Sequence, residues 1–584
     1  MTRASCVSSR QFSKRYKMKI SSFFKLAAVA GLAFCAVSCS NGNKSSFDYD
    51  PDEQLVYIGE DIAVAQTQYG KVKGYIMRDV YTFLGIPYGA STEGKNRFMP
   101  PQPPQPWDGI LPTVYFGACA PQAPGNWQST SYKTFQDEWN YAYISEDCLK
   151  LNVWTPAIDK AKRPVIVWIH GGGFSFGCAY EQKGYLGENF ARRENSVFVS
   201  INHRLNCFGF ADFAGVGGEK YKHSGNVGML DCVAALQWVK DNIANFGGDP
   251  DNVTIIGQSG GGSKVCILAS MPSAKGLISK VVPLSGSTTS AADQAYAEAL
   301  GAEIVKAAGL KPSEIDKLQE MPWEDFYELA YSVSANFRPA GMAAGRAFSP
   351  VADDIDIPKG TFFTLDRDDL PDVPMLLSTT TNEFVSDRDD ASKELLTRAE
   401  IIDQLKANFG DNAEAVYDEY DALFPGNSPY GIFTIISTPR TTVLNTANAK
   451  LHQKSPVYVD WFNWYPPMFD GRYRSFHNLD ICFWFYNTDV MLSHTGGGKV
   501  PRALSAKMAD ALHAFMLTGD PNTGKKDGLP YWPQYTKEGC ETMILNNVPA
   551  AKSNPDTKAR ELMGSNVLPM FPAGTVPAPS PTAK

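Results

Sequence analysis

Three stretches of the chain are apolar at nearly every position instead of alternating: VIVWI at 165–169, VFVSI at 197–201 and VTII at 253–256. A strand with one wet face alternates, so these predict strands buried on both faces, as in a largely parallel sheet. Between the second and third lies DCVAALQWVKDNIANF, where Val233, Leu236, Val239 and Ile243 recur at helical spacing and Gly247 and Gly248 follow as a stop. Strand, helix, strand is a crossover unit. Its repetition predicts an α/β fold, a large and mostly parallel central sheet flanked by helices, with long loop insertions. Further on, AYAEALGAEIVKAAG and SAKMADALHAFML read as helices, and PMLLST and PVYVDWF as strands.

The two ends break this pattern. From Met18 the chain reads MKISSFFK and then LAAVAGLAFCAV, a lysine-bearing start and an apolar run of about 12 residues, the form of a signal-peptide core and too short to span a bilayer. The run closes on Ala36, Val37, Ser38 and Cys39, which resembles a bacterial lipoprotein box, with Ala36 where leucine is usual. The expectation is an exported protein whose Cys39 is lipidated, periplasmic or at the cell surface, touching membrane through that anchor alone. Residues 40–52 then form a polar tether, 53–570 one α/β domain, and 571–584, inside the proline-rich PMFPAGTVPAPSPTAK, a loose tail.

Composition narrows the partners. The chain has 584 residues, 43% hydrophobic and 20% charged, with a net charge of -8. That is ordinary globular composition with no basic stripe, which argues against a nucleic-acid partner. Export makes disulfides possible, and eight of the 11 cysteines lie beyond the removable segment. Cys119 and Cys148 flank an aromatic-rich stretch holding Trp127, Tyr132, Phe135, Trp139, Tyr141 and Tyr143. A bridge closing a loop of that size would be worth about 3 kcal/mol. Neither a CxxC pair nor an HExxH helix is present, so the sequence gives no ground for a metal, and no organic cofactor is implied.

The chemistry centres on VTIIGQSGGGSK, a predicted strand running into a glycine-rich turn and then a helix. Gly257, Gln258, Ser259, Gly260 and Gly261 fit GxSxG, in which a strained turn lifts the serine above the end of its strand. The pentapeptide alone is a weak signal. The same stretch nearly spells a phosphate-binding loop from Gly257 to Gly262, but that loop requires Lys and then Ser or Thr, whereas here Ser263 precedes Lys264. The companion motif is VWIHGGGF, which sets His170, Gly171, Gly172 and Gly173 directly after a buried strand. Acyl transfer passes through an oxyanion, and glycine amides can approach closely enough to stabilise it.

These motifs, in this order, resemble the type-B carboxylesterases. The resemblance runs from FLGIPYGA (83–90) and RFMPPQPP (97–104) through EDCLKLNVW (146–154), HGGGF, GNVGMLD (225–231), GGDPDNVTIIGQSGGG and PLSGS (283–287) to FMLTGDPN (515–522). It implies an α/β-hydrolase fold, Ser259 as nucleophile and an oxyanion hole from the N–H groups of Gly172, Gly173 and Gly260. It also implies a Cys119–Cys148 bridge and an Arg97–Glu146 salt bridge.

In such folds the acid and then the histidine follow the serine. Of His452, His477, His494 and His513, His477 in FHNLDICFWF resembles the family's histidine segment, and Glu383 in LLSTTTNEF its acid segment, with Asp387 the nearby substitute. The sequence departs from the family at Gln258 for Glu, Gly260 for Ala, Asn478 for Gly and Phe384 for Gly. None removes a reacting group, and Gln258 takes away a negative charge that would favour cationic esters. The expected activity is hydrolysis of a small-molecule carboxylic ester through an acyl-enzyme. The alternative is a non-catalytic surface binding protein on the same scaffold.

Overall fold

The computed structural model describes residues 54–123, 143–342, 345–383, 390–438 and 440–566. The described residues all belong to one compact unit, Ser46–Lys584. The targeting segment, Cys39, the tether, residues 127–141 of the aromatic stretch, Phe384, Asp387 and the tail lie outside the described residues.

Twelve strands form one sheet. At its centre the strands Val197–Ile201, Arg163–Ile169, Gly248–Gln258, Lys280–Leu284, Met375–Leu377, Val457–Phe462 and Thr542–Leu545 lie side by side, each parallel to the next. Antiparallel strands close both edges, Val56–Tyr57, Tyr75–Met77, Val80–Pro87 and Lys150–Thr155 on one side and Ala550–Lys552 on the other. The expected mostly parallel sheet of an α/β-hydrolase is therefore present.

The unbroken apolar runs are explained by where successive side chains go. Val165, Val167 and Ile169 enter one core while Ile166 and Trp168 enter the other, and Val199 and Phe198 divide in the same way. Side chains alternate across a strand, so only a strand covered on both faces tolerates an apolar residue at every position. Each such side chain, fully buried, contributes about 1.5–3 kcal/mol. The crossover helix runs Val227–Asn242 and covers the first face with Met229, Leu236 and Val239. Gly247 takes a left-handed turn (φ 79°) after it, as the glycine stop predicted. The helix Lys499–Thr518 covers the second face with Met508, Leu512 and Phe515.

The salt bridge implied by the resemblance is present and buried. Arg97 Nε and Nη2 reach the two Glu146 carboxylate oxygens at 2.7 and 2.6 Å, and Nη1 donates to the carbonyls of Leu318 and Met321. No helix among the described residues is long and apolar enough to cross a membrane.

Candidate active site

Ser259 is the single residue between the strand Gly248–Gln258 and the helix Gly260–Leu268. Its backbone sits at φ 57°, ψ −123°, a region that costs a residue with a β-carbon about 1–3 kcal/mol. Glycine neighbours make the turn possible. A Cβ on Gly257 would meet the Gly261 carbonyl at 2.4 Å, and one on Gly286 would meet the Ser259 carbonyl oxygen at 1.8 Å. The Ser259 N–H donates to the Leu284 carbonyl at 2.8 Å, tying the turn to the neighbouring strand end. The side chain is thereby held, half-exposed, at the positive end of the helix.

The HGGG segment packs directly on this turn. A Cβ on Gly171 would lie 3.3 Å from that of Ser259, and one on Gly260 would strike the Gly173 carbonyl oxygen at 1.9 Å. Gly172 and Gly173 both take positive φ, 78° and 62°. The Gly172 carbonyl accepts from the N–H groups of Ser175 and Phe176, both at 3.2 Å, which turns the loop back on itself.

The next strands deliver the other two groups. Leu284 bridges to Ser378, Thr380 to Phe462 and Asn382 to Phe476, so each strand end extends past the sheet in register with its neighbour. Glu383 and His477 thus meet at the same edge of the sheet as Ser259. His477 Nδ1 lies 2.5 Å from Glu383 Oε2. The other carboxylate oxygen accepts from the Thr379 hydroxyl at 2.5 Å and the Thr380 N–H at 2.8 Å. Burial alone would push the Glu383 carboxyl up, but the charge and hydrogen bond of His477, with the Thr379 hydroxyl, hold it below the ordinary glutamate range.

The other downstream histidines sit elsewhere. His452 is exposed just beyond the helix Thr441–Lys450, His494 stacks edge-on against Phe476, and His513 faces Glu194. Among the described residues no cluster of three or more His, Cys, Asp or Glu side chains is placed to share a metal ion.

With the strand order and these pairings in place, comparison with known proteins decides the family. The model of the carboxylesterase family matches residues 61–562. The chain belongs to the carboxylesterase family. It is 32% identical over 508 residues to a para-nitrobenzyl esterase of Bacillus subtilis (strain 168), covering 85% of this chain and 98% of that one. It is 30% identical to a human cocaine esterase, covering 84% and 89%. Among solved structures it is similar to an esterase from Clostridium hathewayi described as hydrolysing aliphatic aromatic polyesters (TM-score 0.76, 34% identity, 87% and 99% covered). It is also similar to a Geobacillus stearothermophilus carboxylesterase (TM-score 0.68, 30% identity, 86% and 100% covered). The protein is a carboxylesterase, an enzyme that hydrolyses carboxylic esters, and these relatives do not favour the binding-protein alternative.

One expectation for this carboxylesterase is overturned. The structure does not join Cys119 to Cys148. Cys119 packs with Cys178, Ala179 and Tyr180, its Sγ 3.4 Å from the Tyr180 hydroxyl, whereas Cys148 sits in the main core near Arg204 and Asp231. No disulfide is present among the described residues.

Sequence reading gave no role to several residues around the carboxylesterase site. Thr379 and Thr380 hold the Glu383 carboxylate; the clue was a run of threonines where a buried strand runs out. Beneath the glycine loop lie Lys264, His170, His203 and Glu181, all buried. Burial lowers Lys264 to about 8 and raises Glu181 to about 8. Burial and the Lys264 charge keep both imidazoles well below the usual histidine range. Lys264 was legible only as the residue that spoiled a phosphate loop.

Proposed function

We propose that this carboxylesterase works through an acyl-enzyme in which Ser259 attacks the ester carbonyl, His477 takes its proton and Glu383 orients the imidazole. Nδ1 of His477, held by Glu383, is the protonated nitrogen, which leaves Nε2 to accept the serine proton and later return it to the departing alcohol. The N–H groups of Gly172, Gly173 and Gly260 would receive the oxyanion, each such donor being worth about 3–4 kcal/mol. The observation that carries this reading is the Glu383–His477 pair standing at the sheet edge where Ser259 is held in its strained turn. A fluorophosphonate probe tests it. Labelling at Ser259 that disappears in Ser259→Ala and falls sharply in His477→Ala is the expected result; undiminished labelling of Ser259→Ala would sink it.

The substrate class that fits is a neutral or anionic ester. Position 258 carries a buried glutamine in place of a carboxylate, so nothing there draws a cation. A hydrolysis panel varying acyl length, alcohol and charge tests this, and a preference for cationic esters would count against it. Export with lipidation at Cys39 is the reading that the apolar segment supports. Labelled fatty acid incorporated by the parent and not by Cys39→Ser is the expected outcome.

A further inference from the structure

The acyl-enzyme chemistry leaves a buried cation unused. Lys264 stands in the Gly260–Leu268 helix that follows the serine, is fully buried, and donates from Nζ to the His170 carbonyl at 3.2 Å. The same Nζ lies 5.8 Å from the centre of the Phe174 ring. An ammonium carries three N–H donors, and that carbonyl is its one hydrogen-bond acceptor among the described residues. A cation so thinly satisfied costs stability, and an apolar chain of similar volume in its place is commonly neutral or stabilising. Lys264 is therefore not explained as a structural support.

Its contacts point to the alternative. His170 immediately precedes Gly171–Gly173 and Phe174 immediately follows, so Lys264 meets both ends of the glycine loop that packs on the Ser259 turn. We infer that Lys264 is a positioning residue for ester hydrolysis, fixing the glycine loop against Ser259 and lending it the positive charge that favours an oxyanion. The inference rests on the Ser259 acyl-enzyme reading.

The surroundings leave that charge uncompensated at neutral pH. The groups facing Lys264 are Glu181, Cys232, His170 and His203. Burial raises Glu181 to about 8 and the Cys232 thiol to about 12, and both imidazoles are neutral. Arg346, exposed, faces the Phe174 ring at 5.8 Å. Lys264 itself, lowered by burial, loses its proton through about pH 8. Loss of the charge should slow turnover there, and Glu181 titrates in the same range, so it needs its own control.

The test compares the parent, Lys264→Met, Lys264→Arg and Glu181→Gln in p-nitrophenyl acetate hydrolysis from neutral to alkaline pH, with thermal melting and fluorophosphonate labelling alongside. Lys264→Met should melt no lower than the parent and still label at Ser259. Its kcat should fall about tenfold, equivalent to about 1.4 kcal/mol, with KM little changed. It should also lack the parent's decline through about pH 8. Lys264→Arg, which keeps a charge at all these pH values, should recover most of kcat without the decline, while Glu181→Gln keeps the decline. The inference is overturned if Lys264→Met retains the parent's kcat and alkaline decline, or if only Glu181→Gln abolishes the decline. Should Lys264→Met fail to fold, a persisting decline in Lys264→Arg overturns it. Failure of the parent to label would instead remove the serine mechanism itself.

Discussion

His477 and Glu383 are joined twice, ring to carboxylate at 2.5 Å and backbone N–H to backbone carbonyl at 3.0 Å. The double tether fixes the plane of the imidazole as well as its tautomer. In Glu383→Gln the amide can donate to Nδ1, which turns the ring to the wrong tautomer. We expect kcat to fall by about 10⁴-fold with folding intact, as when the acid of a serine triad is made an amide. A loss of less than tenfold in steady-state assays would mean that another group orients the ring.

Gly172→Ala should impair catalysis more than stability. The residue sits at φ 78°, and an added Cβ would meet the Phe176 carbonyl oxygen at 2.1 Å, so the loop must shift away from Ser259. Removing one oxyanion donor costs about 10²–10³ in kcat, and a displaced loop should approach that figure. Full activity together with an unchanged melting temperature would show that the loop does not bear on the reaction.

Asp231→Ala should destabilise the protein by about 3–5 kcal/mol, because it strands a buried guanidinium. Asp231 Oδ2 accepts from Arg204 N at 3.0 Å and Nε at 2.8 Å, and Oδ1 accepts from Nη2 at 2.6 Å, with both side chains almost wholly buried. Urea unfolding measures the loss, and a midpoint matching the parent's would contradict it.

Peptide mapping of unreduced protein should recover no peptide cross-linked between Cys119 and Cys148. The structure leaves the two unjoined, with Cys119 packed against Cys178, Ala179 and Tyr180 and Cys148 in the main core. A cross-linked Cys119–Cys148 peptide would restore the family's bridge.

The pH dependence of stability should carry the mark of Asp480. Burial, and then the charge of Glu383, raise its carboxyl to about 7. The folded state thus binds the proton more tightly than the unfolded chain, where an aspartate titrates near 3.9. Its contribution is fully present below about pH 4 and is lost as the pH rises through about 7. Asp480→Asn should flatten that fall when unfolding is measured at acidic and neutral pH; an unchanged slope would show that other acids cause it.

How far the sequence was legible follows from how local each signal is. The runs at 165–169 and 197–201 were read within two residues of their observed ends, because a strand buried on both faces leaves no polar gap to mislead. Ser259 and its glycines were legible because a strained turn needs those residue types in sequence. The helices Arg398–Phe409, Ala413–Leu423 and Pro429–Ile436 were passed over, since their apolar faces make sense only against one another and Trp461. Glu383 and His477 were found through likeness to a family, and their pairing depends on strands distant in sequence lying side by side. The Cys119–Cys148 bridge was expected from likeness and from two cysteines flanking a loop, and neither fixes the side-chain geometry that a bridge requires.

The order in which the strands are threaded has a consequence for biosynthesis. A ribosome releases the serine turn well before it makes the strand that presents Glu383, and longer still before the segment with His477. On the proposed mechanism, a growing chain that still lacks His477 carries a serine hydroxyl without its base. On that mechanism the hydroxyl gains its base only late in synthesis, with the strands Thr542–Leu545 and Ala550–Lys552 still to come.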